Sequence, residues 1–276
     1  MKLLNVGCGS TFHPLWSNID RVSYSSEVKA YDLLKGLPYE DSYFDACYSS
    51  HLLEHLTQTE AQKLLSECWR TLKPQGVIRI VVPDLESVAR NYLNALEQVE
   101  GGSIEYEPNY NWMMLELYDQ AVRRFSGGEM ALYLSNPDIK NKDFVRARLG
   151  AEAEKYFQSQ TSYNKKPNWQ NINLKNLSYI FYKLRVLIAK NVVRILAGDR
   201  IGSFFTEGLF WNSGEVHRWM YDRFSLRKML EAAGFVGIRS RAANESQIPD
   251  FNTYELDIIE GKVRKPESLF MEGTKL

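Results

Sequence analysis

The first hundred residues alternate between short apolar runs and amphipathic stretches. Leu3-Leu4-Asn5-Val6 is a brief apolar run closed by Gly7-Cys8-Gly9, which predicts a strand entering a tight glycine turn. Residues 17–20 read as a second strand, 28–31 as a third that ends at Asp32, and 44–48 as a fourth. Asp20 follows Gly7 by only 13 positions and Pro14 lies between them, so the connection holds a turn or two of helix at most. Thr57 and Glu60 have capping-box spacing, and Ala61, Leu64, Leu65, Cys68, Trp69 and Leu72 follow on one helical face. Lys73-Pro74-Gln75-Gly76 predicts the end of that helix. Residues 77–82, rich in β-branched side chains, then form a strand that Pro83 stops, and 85–99 form another helix. Strands alternating with helices imply right-handed crossovers and a parallel sheet.

From Gly101 to about Gly214 the pattern changes to aromatic, Asn-rich and charged sequence, with helices expected over 111–125 and 144–157 and loops over 164–168 and 171–173. Alternation then resumes. Ser225 is the expected cap of a helix carrying Leu226, Met229, Leu230 and Ala233, which Gly234 stops, and strands are expected over 236–241 and 254–260. This divides the chain into an α/β domain made of 1–100 and 215–276 and a helical, aromatic insertion of 101–214.

Composition narrows the functional classes. Lys+Arg and Asp+Glu each number 34, so no bulk field attracts nucleic acid. The three cysteines, Cys8, Cys47 and Cys68, show no C-x-x-C spacing, which points to a reducing compartment and away from a structural zinc site. The start lacks a signal-peptide core and no apolar run is long enough to span a bilayer, so the expected location is cytoplasmic. Oligomeric state is not legible. Residues 177–196 mix apolar positions with Lys183, Arg185, Lys190 and Arg194. They read as a basic-rimmed lid helix. Peripheral membrane contact is the lesser alternative, because Arg185 falls off the face shared by the other three.

The chemistry-bearing positions gather at predicted strand ends. Glycines in Gly7-Cys8-Gly9 let backbone N–H groups approach a ligand closely, although a plain turn has the same form. Asp20 and Asp32 each end a strand, where open α/β sheets bind ligands; helix caps and turns are the alternative roles. Of four histidines, His51 and His55 are spaced i, i+4 beside Glu54, and His217 closes the insertion near Trp211, Trp219 and Tyr221, which are candidate walls of an acceptor pocket. The histidine pair has metal-ligand spacing, but the sequence identifies no third ligand, so no metal is expected.

Read in order, LNVGCGS (4–10), SNID (17–20), YDLLKGLPYEDSYFDACYSSHLLEHL (31–56), LSECWRTLKPQGVIRIVVPDLES (65–87) and HRWMYDRFSLRKMLEAAGF (217–235) resemble the class I S-adenosylmethionine-dependent methyltransferases. The resemblance is nearest to the group that includes the ubiquinone- and menaquinone-biosynthesis enzymes, in a branch with LNLGCG and NID motifs linked to polysaccharide and specialised-metabolite pathways. It covers about 1–100 and 215–276. It implies a Rossmann-like, doubly wound seven-stranded sheet with the last strand antiparallel. It also implies that Asn5, Gly7, Cys8 and Gly9 meet the methionine part of the cofactor, Asp20 the ribose, and Asp32 with Leu33 the adenine. Ser49, Ser50 and His51 would border the sulfonium and acceptor pocket. Asn5 stands where many relatives carry an acid, and Gln75 replaces the first glycine of the usual L-x-P-G-G turn.

The implied reaction moves a methyl group from S-adenosylmethionine, leaving S-adenosylhomocysteine, to the hydroxyl of a sugar or another polar small molecule. His51, His55 and His217 are the candidate bases. Transfer to nitrogen or carbon, a nicotinamide-dependent oxidoreductase and a catalytically silent binding protein are the alternatives. The early acid after Gly7 and the lack of G-x-G-x-x-G count against a nicotinamide enzyme.

Overall fold

The computed structural model describes residues 1–23, 25–159 and 177–276. The loops expected over 164–168 and 171–173 lie outside the described residues. Four parallel strands come first: β1 (Leu3–Val6), β2 (Ser17–Asp20), β3 (Val28–Ala30) and β4 (Phe44–Ser50). No helix links β1 to β2; the chain crosses in turns, because Pro14 and the short span leave no room for the helical turn expected there. Helix α1 (Gln58–Thr71) begins with both halves of the Thr57/Glu60 capping box formed. Strand β5 (Leu72–Pro83) follows without a break. The turn expected over 73–76 is absorbed into the strand as an irregularity, since Leu72 already pairs with Phe44 and the register shifts before Ala46 meets Val77.

Helix α2 (Leu85–Glu100) is capped by Asp84. The insertion continues as α3 (Glu107–Val122), α4 (Gly128–Ser135), α5 (Lys142–Leu149), α6 (Ala151–Ser159), α7 (Leu177–Ala197) and α8 (Asp199–Trp211). The single helix expected over 144–157 is two, broken at Gly150 with its φ of 58°. Helices α2 to α5 share a core of their own around the fully buried Trp112. Helix α9 (Arg223–Ala232) is capped by Asp222, not Ser225; Ser225 is the reciprocal third residue of that capping box. Strand β6 (Val236–Arg241) is as expected. The strand expected over 254–260 is instead a short helical turn and a small hairpin, β7 (Ile258–Ile259) with β8 (Lys262–Val263). The final sheet strand is β9 (Ser268–Thr274).

The sheet order is β3-β2-β1-β4-β5-β9-β6, with β9 antiparallel to both neighbours. This is the Rossmann-like arrangement with a reversed last strand. Alternate residues face opposite sides. On one side Leu4, Cys47, Ile78 and Ile80 pack against Leu64 and Leu65 of α1 and Leu226 and Leu230 of α9. On the other, Leu3, Tyr48, Val81 and Phe270 pack under Trp16, Ile248, Phe251 and Leu256. The cover on that second side comes largely from the β6–β9 connection. It is pinned by Arg79, a fully buried side chain of β5 that donates to Asp257 (2.7 Å), Glu272 (2.9 Å) and the Ala243 and Glu245 carbonyls. Among the described residues, no helix is long and apolar enough to cross a membrane.

Candidate functional site

A cleft of about 210 Å³ opens where β1, β4 and β5 end. Its floor is the β1 turn. Gly7 and Gly9 have φ of 67° and 52°, the left-handed region that favours glycine. A Cβ on Gly7 would lie 2.5 Å from Leu52, whereas one on Gly9 would meet nothing within 4 Å. At Gly7 the backbone conformation favours glycine and Leu52 packs close below the turn, whereas Gly9 leaves open space above it. The Gly9 N–H donates to Asp20 (2.8 Å), and the other Asp20 oxygen accepts from the Val22 N–H (3.0 Å).

Asn5 lies beneath this turn with no exposed surface. Its amide nitrogen donates to the Thr11 carbonyl and to Asn18, both at 3.1 Å. Its carbonyl oxygen has no hydrogen-bond partner within the protein, and Asn5 lines the cleft. A buried acceptor left open at a glycine loop is a place for a ligand N–H. Cys8 lines the same cleft, with its thiol pushed up to about 12 by burial and then by the Asp20 charge, so it is not a nucleophile.

His51 meets the cleft from the end of β4. It is a non-glycine residue held at a φ of 52°, with its N–H bonded to the Val81 carbonyl (2.9 Å). Such backbone strain persists only where the surroundings impose it. The ring lies between two groups: Nε2 is 2.8 Å from Ser268 Oγ, and Nδ1 faces Glu54 at 3.3 Å without a well-formed hydrogen bond. Burial, and next the Lys265 charge, hold the ring below its ordinary pKa.

Glu54, fully buried, stands behind His51 with His55 and His217. The rings of His55 and His217 meet edge to face at 4.7 Å. Burial brings His217 down to about 3 and raises the neighbouring Tyr221 hydroxyl to about 12, the Glu54 charge adding to the latter. For Glu54, burial acts upward, and contact with His51 leads the opposing effects that hold the carboxyl below its ordinary value. These groups compete for the same proton, and burial alone suffices to keep His217 neutral.

The predicted residues therefore separate. Asn5, Gly7, Cys8, Gly9, Ser50 and His51 line the cleft. Ser49 instead donates to the Val6 carbonyl inside the core (2.9 Å). Asp32 caps the turn Leu33–Lys35 by accepting from Leu34, on the β3 side of Asp20 and off the cleft wall. His55 and His217 lie behind the wall. Trp211, Trp219 and Tyr221 do not line it, the first two being exposed and the third part of the core under α9. Sequence reasoning missed the opposite wall: Asp257, Arg264 and Lys265 from the β6–β9 connection and Glu152 from α6. The available signal of a hairpin there was Gly261 in a two-residue connection, Glu260-Gly261, between Ile258-Ile259 and Lys262-Val263; both connecting residues have positive φ.

A sequence profile described as a methyltransferase domain matches residues 4–80, the span from β1 into β5. No curated protein matches the chain. Among solved structures, the [4+2]-cyclase SpnF is 23% identical over 29% of this chain and 38% of its own, with a TM-score of 0.25. A SAM-dependent methyltransferase from Thermotoga maritima is 11% identical over 100% of this chain and 82% of its own (TM-score 0.37). Another from Archaeoglobus fulgidus is 13% identical over 99% and 86% (TM-score 0.38).

Proposed function

We propose that this chain is a class I methyltransferase that uses S-adenosylmethionine to methylate a hydroxyl of a sugar or another polar small molecule. The observation that carries this reading is that one cleft joins the glycine turn, the unpaired Asn5 oxygen and His51. The methyltransferase-domain match over residues 4–80 supports it. The buried thiols, all free, fit a cytoplasmic location.

The residues present fit the cofactor. When bound, S-adenosylmethionine supplies a methyl group already activated on a sulfonium. Asn5 Oδ1 would accept from the cofactor's ammonium, a neutral partner where an acid would pull harder. Gly9 keeps the floor clear of side chains. Asp20, already fixed by Gly9 and Val22, has lone pairs left for ribose hydroxyls. Asp32 and Leu33 lie further along the same sheet edge, where an adenine would follow.

Glu152, Asp257, Arg264 and Lys265 give the facing wall a polar character suited to a hydroxylated acceptor. Because Glu152 belongs to α6, this part of the insertion takes part in acceptor choice. His51, not His55 or His217, takes the acceptor proton, because it alone of the three lines the cleft. The acceptor hydroxyl displaces Ser268 from Nε2, and Glu54 supports the opposite side of the ring. Holding donor and acceptor in line supplies the rest of the acceleration.

Calorimetry with S-adenosylhomocysteine and NAD, joined to turnover of His51→Ala, tests this. We expect binding of the first ligand only, and a fall in turnover of roughly 10²–10⁴-fold with S-adenosylhomocysteine affinity retained. NAD binding without S-adenosylhomocysteine binding would overturn the cofactor assignment. Unchanged turnover in the variant would remove His51 as the base.

A further inference from the structure

Behind the cleft wall lies a constellation of which methyl transfer uses only Glu54, as a support for His51. One ligand atom each from Glu54, His55 and His217 lies within 4.8 Å of the other two. Both Glu54 carboxylate oxygens, His55 Nδ1 and His217 Nδ1 are buried and have no hydrogen-bond partner within the protein. Glu54 is wholly buried and His217 is 7% exposed. The nearest nitrogens to Glu54, His51 Nδ1 at 3.3 Å and His55 Nε2 at 4.0 Å, make no well-formed hydrogen bond to it. A buried carboxylate without donors is strongly disfavoured, and a cation is the direct remedy.

We propose that Glu54, His55 and His217 bind one divalent transition-metal ion, with zinc preferred. Two imidazoles and one carboxylate match zinc chemistry and leave a fourth position for water. Metal–ligand bonds of roughly 2.0–2.2 Å require the three atoms to close by about 1 Å, within reach of side-chain rotation. The backbone already holds the ligands together. The Glu54 carbonyl accepts from the Arg218 and Trp219 N–H groups (2.6 and 3.2 Å), and the His217 N–H donates to the Gln120 carbonyl (2.9 Å). The ion therefore clips the loop after β4 to the chain that follows the insertion. Through Glu54 it also fixes His51, which makes it a positioning element and not a participant in methyl transfer.

This inference does not rest on the methyltransferase reading. The test uses the full chain. Metal content is measured after dialysis, followed by Co²⁺ titration monitored by visible absorption and Zn²⁺ competition. We expect one ion per chain and the absorption bands of a low-coordinate Co²⁺ site. Glu54→Gln and His217→Gln should each weaken Zn²⁺ binding by on the order of 100-fold or more, with circular dichroism confirming that they fold. His51→Gln, which removes no ligand, should change it by less than about 10-fold. Absence of Co²⁺ and Zn²⁺ binding by the folded wild-type chain would overturn the proposal. So would undiminished binding in His217→Gln, or a large loss confined to His51→Gln. S-adenosylhomocysteine calorimetry on the same preparation reports on the methyltransferase reading separately.

Discussion

Glu267 shows how a single buried group sets a pH response. It precedes β9, is 8% exposed and leaves one carboxyl oxygen unpaired. Burial, only partly offset by Lys265, pushes its carboxyl from 4.5 up to about 8. The folded chain thus keeps a proton that the unfolded chain releases. Its contribution to stability is complete below pH 4.5 and is lost as pH rises through 8. Urea unfolding between pH 5 and 9 should show this decline, and Glu267→Gln should flatten it; an equal slope in the variant would assign the decline to another group. Residue-scale signals in the sequence varied in legibility. Gly7 and Gly9 were readable because their positive φ values require their residue type. Gln75, which carries a φ of 65°, was visible only as a departure from the L-x-P-G-G turn of the methyltransferases that the sequence resembles. Glu54 appeared merely as a neighbour of two histidines, because the ring that completes its surroundings, His217, lies 163 positions away in sequence.

At the scale of elements, periodicity found α1 and the edges of the parallel strands but not β9. Ser268–Thr274 has five consecutive buried positions, including Glu272 and Gly273, so neither alternation nor an apolar run marks it. Its polar member is buried because Arg79 and Ser246 satisfy it: Glu272 accepts from them at 2.9 and 2.6 Å. Burial of Arg79 is therefore a tertiary fact, and a strand reading of 77–82 gives no hint of its partners. Arg79→Met should remove the side chain that, among the described residues, joins Asp257 and Glu272, and leave each of two buried acids with one donor fewer. We expect a loss of about 3–5 kcal/mol, the scale for breaking a buried charge network. Urea denaturation provides the measurement. A loss below about 1 kcal/mol, the range of an exposed pair, would mean that the β6–β9 connection is held by its apolar contacts alone.

For the molecule as a whole, the question is how the insertion meets the sheet domain. The first-hundred-residue pattern and the resemblance located the glycine turn and His51, yet the facing wall of the cleft comes from α6 and the β6–β9 connection, whose meeting no local pattern signals. Their meeting point is Gly150, between α5 and α6. With a φ of 58°, it packs so tightly that a Cβ would lie 2.5 Å from Pro266, 2.6 Å from the Val263 carbonyl and 2.7 Å from the Arg264 carbonyl. Those residues flank Arg264 and Lys265 on the cleft wall, and Lys265 reaches Glu152 at 3.6 Å. Gly150→Val adds a β-branched side chain to a left-handed backbone and drives it into a neighbouring main chain that cannot rotate aside. The insertion must then lift from the wall. We expect the 262–266 amide groups to exchange hydrogen faster, while those of β1 and β4 remain protected and S-adenosylhomocysteine affinity changes little. Unaltered exchange at 262–266 would show that the insertion does not brace this wall. Faster exchange throughout the sheet would mean that the contact holds up the whole fold, not the acceptor side of the cleft alone.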